Sequence, residues 1–306
     1  MINLESQVSS FPKQNQINIV LNDQREKKEA DNERAFNPFE PVDQAMADFV
    51  GMAELKENVK EIYANVQINQ HRQELGLKTE KQVLHMMFKG NPGTGKTTVA
   101  RKLATLFYEL NMLSKGHFIE AERADIVGEY IGHTAKKTRS LVEKALGGIL
   151  FIDEAYALAR GGEKDFGKEA IDTLVKQMED HHDDFILILA GYPMEMDYFL
   201  SMNPGLASRF PIVLDFDDYS IDELIKIAHK MTKERDYHLS KEAEWKLKSY
   251  LSKTKQSNYQ ENFANARLIR NIIEQAIRKH AIRLIKKEHY TVNELMLLTS
   301  NDIIIE

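Results

Sequence analysis

GNPGTGKTT, Gly90 to Thr98, combines glycines, one lysine and adjacent hydroxyls at a spacing that suits phosphate. Gly90, Gly95, Lys96 and Thr97 fill every fixed position of G-x-x-x-x-G-K-[ST]. Glycine lets backbone N–H groups turn inward around a phosphate, where a side chain would obstruct them. Asn91, Pro92, Gly93, Thr94 and Thr98 complete the cradle. The pattern places Lys96 to reach β- and γ-phosphates, and Thr97 to offer its hydroxyl to Mg²⁺. The Lys96 side chain is expected to be solvent-exposed before nucleotide binds.

ILFIDEA carries the second group of reactive side chains. Ile149 to Ile152 read as a buried strand, from whose C-terminal end Asp153 and Glu154 emerge. Ligands of open α/β sheets sit at that edge. Asp153 can hold Mg²⁺, directly or through water. Glu154 can polarise a water for attack on the γ-phosphorus. Two carboxylates at a solvated helix start are the plainer alternative, and the apolar run before them argues against it. An adjacent glutamate favours hydrolysis over phosphate transfer or a GTP-type switch.

These residues need a scaffold, and the hydrophobic pattern supplies one. VLHMMFKG, HFIEAE, ILFIDEA, FILILAG and PIVLDF are strand-like. Amphipathic runs such as TAKKTRSLVEKAL and GKEAIDTLVKQMED separate them. Strands alternating with helices predict an αβα sandwich with a five-stranded parallel sheet. Helical spacing is also read through Phe49, Val50, Met52, Leu55, Val59 and Ile62. After Asp218 the strand signals stop, and the remainder predicts a small all-helical domain. The expected organisation is a polar arm, partly disordered, over 1–41, a large domain over 42–217 and a helical domain over 218–306. QINIVL within the arm alternates weakly and reads as a possible short strand.

Composition narrows the setting. The chain has 306 residues, a net charge of −6 and no cysteine. Negative charge argues against a broad basic nucleic-acid surface. Absent cysteines remove disulfides and thiolate metal sites and fit a reducing compartment. The N-terminus, MINLESQVSSFPKQ, shows no signal-peptide pattern, and no apolar run approaches the ~20 residues of a membrane span. A cytoplasmic protein without a membrane partner is expected.

HMMFKGNPGTGKTTVAR, GHFIEAERADIVGEYIGHTAKKT, GGILFIDEAYALARGGEKDFGKEAIDTLVKQME, ILAGYPMEMDYFLSMNPGLASRF and FANARLIRN resemble AAA+ ATPases over roughly residues 45–285. Within that superfamily the chain is most similar to a subgroup that includes red-type Rubisco activases and bacterial sporulation proteins. The resemblance implies a P-loop NTPase αβα domain, a helical lid and a homo-oligomeric ring, usually of six. It implies an arginine finger at Arg209, which on residue type alone reads as a surface arginine. It implies a nucleotide-sensing lid arginine at Arg267, with Arg270 as second candidate. Many relatives have glycine where Ala264 stands. Tyr130, Ile131 and Gly132 match the loop that grips a threaded polypeptide in the superfamily's central pore. Ala159 to Gly167 reads either as a second pore loop or as a solvated loop. Many AAA+ proteins carry Asn or Thr at the end of the fourth strand, and this chain has Tyr192 near that position.

The resulting expectation is an ATP- and Mg²⁺-dependent ring ATPase that remodels a protein client, in bacterial spore maturation. A Rubisco-activase-like remodeller, a nucleic-acid-directed motor and an ATP-bound scaffold are the rivals. His181-His182 lacks metal spacing and reads as a polar turn. Trp245 is expected in the lid core, HMMF in a strand core, and Arg278 and Arg283 on a solvated helix face.

Overall fold

Alternating side-chain direction along one strand organises the whole molecule. In the computed structural model, Met86 and Phe88 point to one face of a sheet and Met87 to the other. The structure describes residues 37–79, 83–130, 132–160, 165–182, 184–257 and 263–305. The QINIVL segment lies outside the described residues.

Five parallel strands form the sheet: β1 (Met86–Gly90), β2 (Phe118–Ala121), β3 (Ile149–Ile152), β4 (Ile186–Gly191) and β5 (Ile212–Phe216). Their order is β2-β3-β4-β1-β5. β4 therefore lies between the strand that ends at Gly90 and the strand that ends before Asp153.

One face is covered by α1 (Glu40–Met46), α2 (Ala53–Glu74) and α3 (Lys96–Glu109). Val99, Leu103, Leu106 and Phe107 of α3 are buried there against Phe88 and Phe151. The other face carries α5 (His133–Ala145) and α6 (Gly167–Asp180), through Val142, Ile171 and Leu174. Between β2 and α5 lies the single turn α4 (Arg123–Ile126), started by a Glu122/Asp125 capping box. A 3₁₀ segment, Ala155–Ala159, follows β3. α7 (Pro193–Met202) and α8 (Pro204–Ala207) connect β4 to β5.

α2 starts at Ala53, later than periodicity suggests. Gly51 and Met52 both take positive φ, at 65° and 56°, and this left-handed corner precedes the first helical turn.

Beyond β5 come α9 (Ile221–Lys233), β6 (His238–Leu239), α10 (Lys241–Ser257), α11 (Asn265–Ile285), α12 (Val292–Met296) and β7 (Leu297–Leu298). S-x-x-E at Ser220–Glu223 and T-x-x-E at Thr291–Glu294 form capping boxes that set the starts of α9 and α12. The lid is helical as expected, with one addition: β6 and β7 make a two-residue parallel pair. Elements so short carry no readable period.

Two lid expectations are corrected. Trp245 is 73% exposed, because α10 buries Ala243, Leu247 and Leu251 and Trp245 sits about 200° away from 243 and 247. Arg283 is not merely solvated. It donates to both carboxylate oxygens of buried Asp302, at 2.9 and 2.8 Å, and pins the C-terminal segment onto α11.

Candidate functional site

The loop after β1 is held in its curve by backbone conformation. Gly93 and Gly95 have φ of 73° and 99°, values that disfavour side-chain-bearing residues. A Cβ on Gly93 would stand 2.4 Å from Ala264 O and 2.7 Å from Arg267 N, so lid and loop touch there through backbone. Thr94 is buried and donates its hydroxyl to Asn91 O at 2.8 Å. No side chain caps α3, leaving the amides of its first turn and its positive dipole end for an anion.

Lys96 departs from expectation. Only 9% exposed, it donates its ammonium to Gly90 O at 2.7 Å and Asn91 O at 2.9 Å. An ammonium brings three donors, and loop carbonyls are the nearest acceptors. Burial lowers its pKa from the ordinary lysine value, and the nearby Asp153 carboxylate opposes that shift.

Asp153 and Glu154 leave the end of β3 and face the loop across the end of β4. Asp153 Oδ1 accepts the Glu154 amide at 2.9 Å. Glu154 itself is left-handed, with φ 48° and ψ 43°, a conformation that costs a side-chain-bearing residue energy and turns the chain at the sheet edge. Tyr192 follows β4 directly, with its ring 5.6 Å from that of Tyr156 and 6.0 Å from Lys96 Nζ. Burial raises the Tyr192 pKa, so its hydroxyl stays a donor.

One cavity of about 470 Å³ gathers Lys96, Thr97, Asp153, Glu154 and Tyr192 with Arg267 and Arg270 of the lid. Pro92, Gly93, Gly95 and Thr98 also line it. Among the described residues no group of three or more His, Cys, Asp or Glu is placed to hold a metal. Thr97 and Asp153 supply two hard oxygen donors. That set fits Mg²⁺, which takes few protein ligands and completes its shell with phosphate oxygens and water.

Other predicted residues lie elsewhere. Arg209, between α8 and β5, does not line the cavity. Its guanidinium pairs with Glu179 at the end of α6. Tyr130 is 65% exposed and meets the His133 ring edge-on at 5.4 Å. Gly132 has φ of 79° and a Cβ there would meet nothing within 4 Å. Ile131 and residues 161–164 lie outside the described residues. Glu129, next to Tyr130, lines a second cavity with Asp153, Glu154 and Arg267. Arg123 ties the same region together, donating to Ala157 O and to both oxygens of Asp165.

Sequence reasoning missed the groups that join lid to loop. Tyr219 donates its hydroxyl to Thr94 O. Asn91 reaches Asp218, and Asn265 reaches Asp218, Tyr219 and Pro92. The left-handed residue at the start of α11 is Asn265, φ 43°, while Ala264, with φ −82°, needs no glycine. The available signal was Asn in FANAR, a residue type that tolerates positive φ.

Residues 86–218 match the ATPase family associated with various cellular activities (AAA), and residues 220–306 match the AAA lid domain. The seam falls at Tyr219, where the chain passes from β5 toward α9. This chain belongs to the AAA ATPase family and hydrolyses ATP. It is 58% identical to stage V sporulation protein K of Bacillus subtilis (strain 168), over 97% of this chain and 96% of that protein. It is 46% identical to protein CfxQ of Xanthobacter flavus, over 77% and 74% of the two chains. It is 42% identical to the chloroplastic ribulose bisphosphate carboxylase/oxygenase activase of Cyanidioschyzon merolae (strain NIES-3377 / 10D), over 87% and 90%. A solved mutant of Thermotoga maritima RuvB shares the fold, at TM-score 0.53 and 20% identity, covering 82% of this chain and 70% of that one. Among the described residues no helix is long and apolar enough to cross a membrane.

Proposed function

We propose that the chain works as a homo-oligomeric ring, six-membered as is usual in the superfamily, that couples Mg²⁺–ATP hydrolysis to remodelling of a protein client. The observation that carries this reading is the shared cavity, in which Asp153 and Glu154 face Lys96 beneath lid arginines. Lys96 swings from the loop carbonyls to β- and γ-phosphate oxygens, exchanging two neutral acceptors for charged ones. Thr97 and Asp153 hold Mg²⁺, which supplies charge neutralisation on the phosphates when bound. Glu154 orients and deprotonates the attacking water, and Arg267 reaches the phosphates from the lid. Tyr192 takes the place at the end of β4 where it can hydrogen-bond the γ-phosphate or the water.

Arg209 acts on the site of the next subunit. A guanidinium suits that task because it is always charged and forks onto phosphate oxygens. Leaving Glu179 costs little, since exposed ion pairs contribute about 0–1 kcal/mol. The Tyr130 loop grips the client, for an exposed ring beside an unhindered glycine packs on any backbone. Glu129 lies on a cavity shared with Glu154, which supports coupling between hydrolysis and that loop.

The 58% identity over nearly the whole length favours a role in spore maturation, within the cytoplasm, over a Rubisco client. A Glu154→Gln protein, crosslinked in sporulating cells and recovered with its partners, tests the reading. It should retain ATP and enrich one protein client. Recovery of nucleic acid, or of Rubisco alone, would contradict it.

A further inference from the structure

Asn265 is fully buried at the first position of α11, in the left-handed conformation. Its Nδ2 faces three oxygens: Asp218 Oδ1 at 2.6 Å, Phe263 O at 2.9 Å and Pro92 O at 3.4 Å. Its Oδ1 accepts the Tyr219 amide at 3.0 Å. The reverse amide orientation would set oxygen against three oxygens, so the network fixes the side chain in one pose. Asp218 in turn accepts Asn91 Nδ2 on both oxygens, at 3.0 and 3.1 Å. One residue along, the Ala266 amide donates to Gly93 O at 3.2 Å.

Asn265 thus joins three parts of the chain. These are the phosphate loop at Pro92, the inter-domain segment at Asp218–Tyr219 and the lid helix that carries Arg267 and Arg270. The acceptors on the loop side are backbone carbonyls, so a change of loop curvature must move Asn265 or break its bonds. A buried amide cannot lose such bonds cheaply, because each orphaned group carries its desolvation cost.

We infer that Asn265 is a positioning residue that latches the lid to the phosphate loop and thereby sets how long nucleotide remains bound. The release part of this inference rests on the nucleotide reading of the cavity, whereas the latch itself can be measured without nucleotide. Asn265→Gly keeps the left-handed backbone and deletes the side chain. Asn265→Asp keeps the shape but sets a carboxylate against Asp218. This carboxylate also removes the donor to Pro92 O and Phe263 O, at unchanged side-chain volume.

Two readouts on the full chain apply. Amide hydrogen exchange of residues 266–270, without nucleotide, reports lid docking. The dissociation rate of fluorescently labelled ADP with Mg²⁺ reports retention. Both single variants should raise local exchange and speed release by about tenfold, with exchange in α3 and α10 unchanged. A shared defect in Asn265→Asp, which conserves volume, is one that lost packing alone would not give. Wild-type values in Asn265→Gly or in Asn265→Asp overturn the inference. Should Asn265→Gly fail to fold, the isosteric Asn265→Asp decides alone, and wild-type values there overturn it equally. Failure of the unaltered chain to bind labelled ADP would sink the nucleotide reading and leave the exchange arm to decide the latch.

Discussion

The carbonyl of Thr94, inside the phosphate loop, accepts the hydroxyl of Tyr219 at 3.1 Å. Tyr219 is buried, and burial with the nearby Glu223 carboxylate pushes its pKa up to about 12. It remains a donor throughout the working pH range. Tyr219→Phe should therefore lower stability by about 0.5–1.5 kcal/mol, the usual net worth of one hydrogen bond, in urea unfolding at neutral pH. An unchanged midpoint would mean that Thr94 O finds water instead.

Glu154→Gln should bind ATP and turn over more slowly by about 10²–10⁴, the usual contribution of a general base. Steady-state phosphate release with a parallel ATP-binding titration checks this. Near-normal turnover would transfer the water-orienting role to Tyr192 or another group.

Arg209 and Lys96 should complement each other between subunits. Arg209→Ala should bind ATP but hydrolyse it poorly, with a loss of about 10³ or more. Lys96→Ala should lack productive ATP binding, since its ammonium is the charge that the loop carbonyls hold ready. Mixed together, some Arg209→Ala subunits keep an intact loop and receive the finger of a Lys96→Ala neighbour. ATPase activity should partly return and depend on total protein concentration. Full activity of Arg209→Ala by itself would remove Arg209 from the mechanism.

His85, at the start of β1, should make the fold acid-sensitive. It is 2% exposed, and its Nδ1 accepts the Leu187 amide at 3.0 Å. Burial, reinforced by His182, pushes its pKa down to about 4 from 6.5. A protonated ring would lose that acceptor. Because the folded pKa lies below the unfolded one, the unfolded chain takes up protons first as pH falls. The stability His85 contributes is fully present above pH 6.5 and is lost progressively toward pH 4, by about 3 kcal/mol. His85→Asn retains an acceptor without the titration. Its unfolding free energy should vary less with pH across that window, and parallel pH profiles would refute the assignment.

How much of this was readable beforehand depended on the range of the interaction. The strands and long helices follow short hydrophobic periods, and the phosphate loop and the Asp153–Glu154 pair are contiguous motifs. What escaped were contacts that the folded backbone sets, most of them between residues far apart in sequence. The motif leaves Lys96 exposed, yet the curve of the loop turns the carbonyls of Gly90 and Asn91 onto its ammonium, and Asp153 stands beside it. Trp245 satisfies helical spacing with Leu247 and Tyr250 only loosely, and the buried stripe runs through Ala243, Leu247 and Leu251 instead. Arg283 looked solvated because its partner, Asp302, lies 19 residues downstream. Asn265 carries no motif of its own. Its importance comes from Pro92, 173 positions away.

The left-handed backbone of Glu154 limits which substitutions at that position can be interpreted. Each replacement is scored twice there, once for its functional group and once for its tolerance of φ 48°. Glycine and asparagine relax or accept this geometry, whereas valine, isoleucine and threonine oppose it. A saturation library would therefore mix chemical and conformational defects. Inactive β-branched variants would report a distorted strand end, and only glutamine, which bears the same backbone cost as glutamate, or residues at ease in the turn would isolate the missing carboxylate.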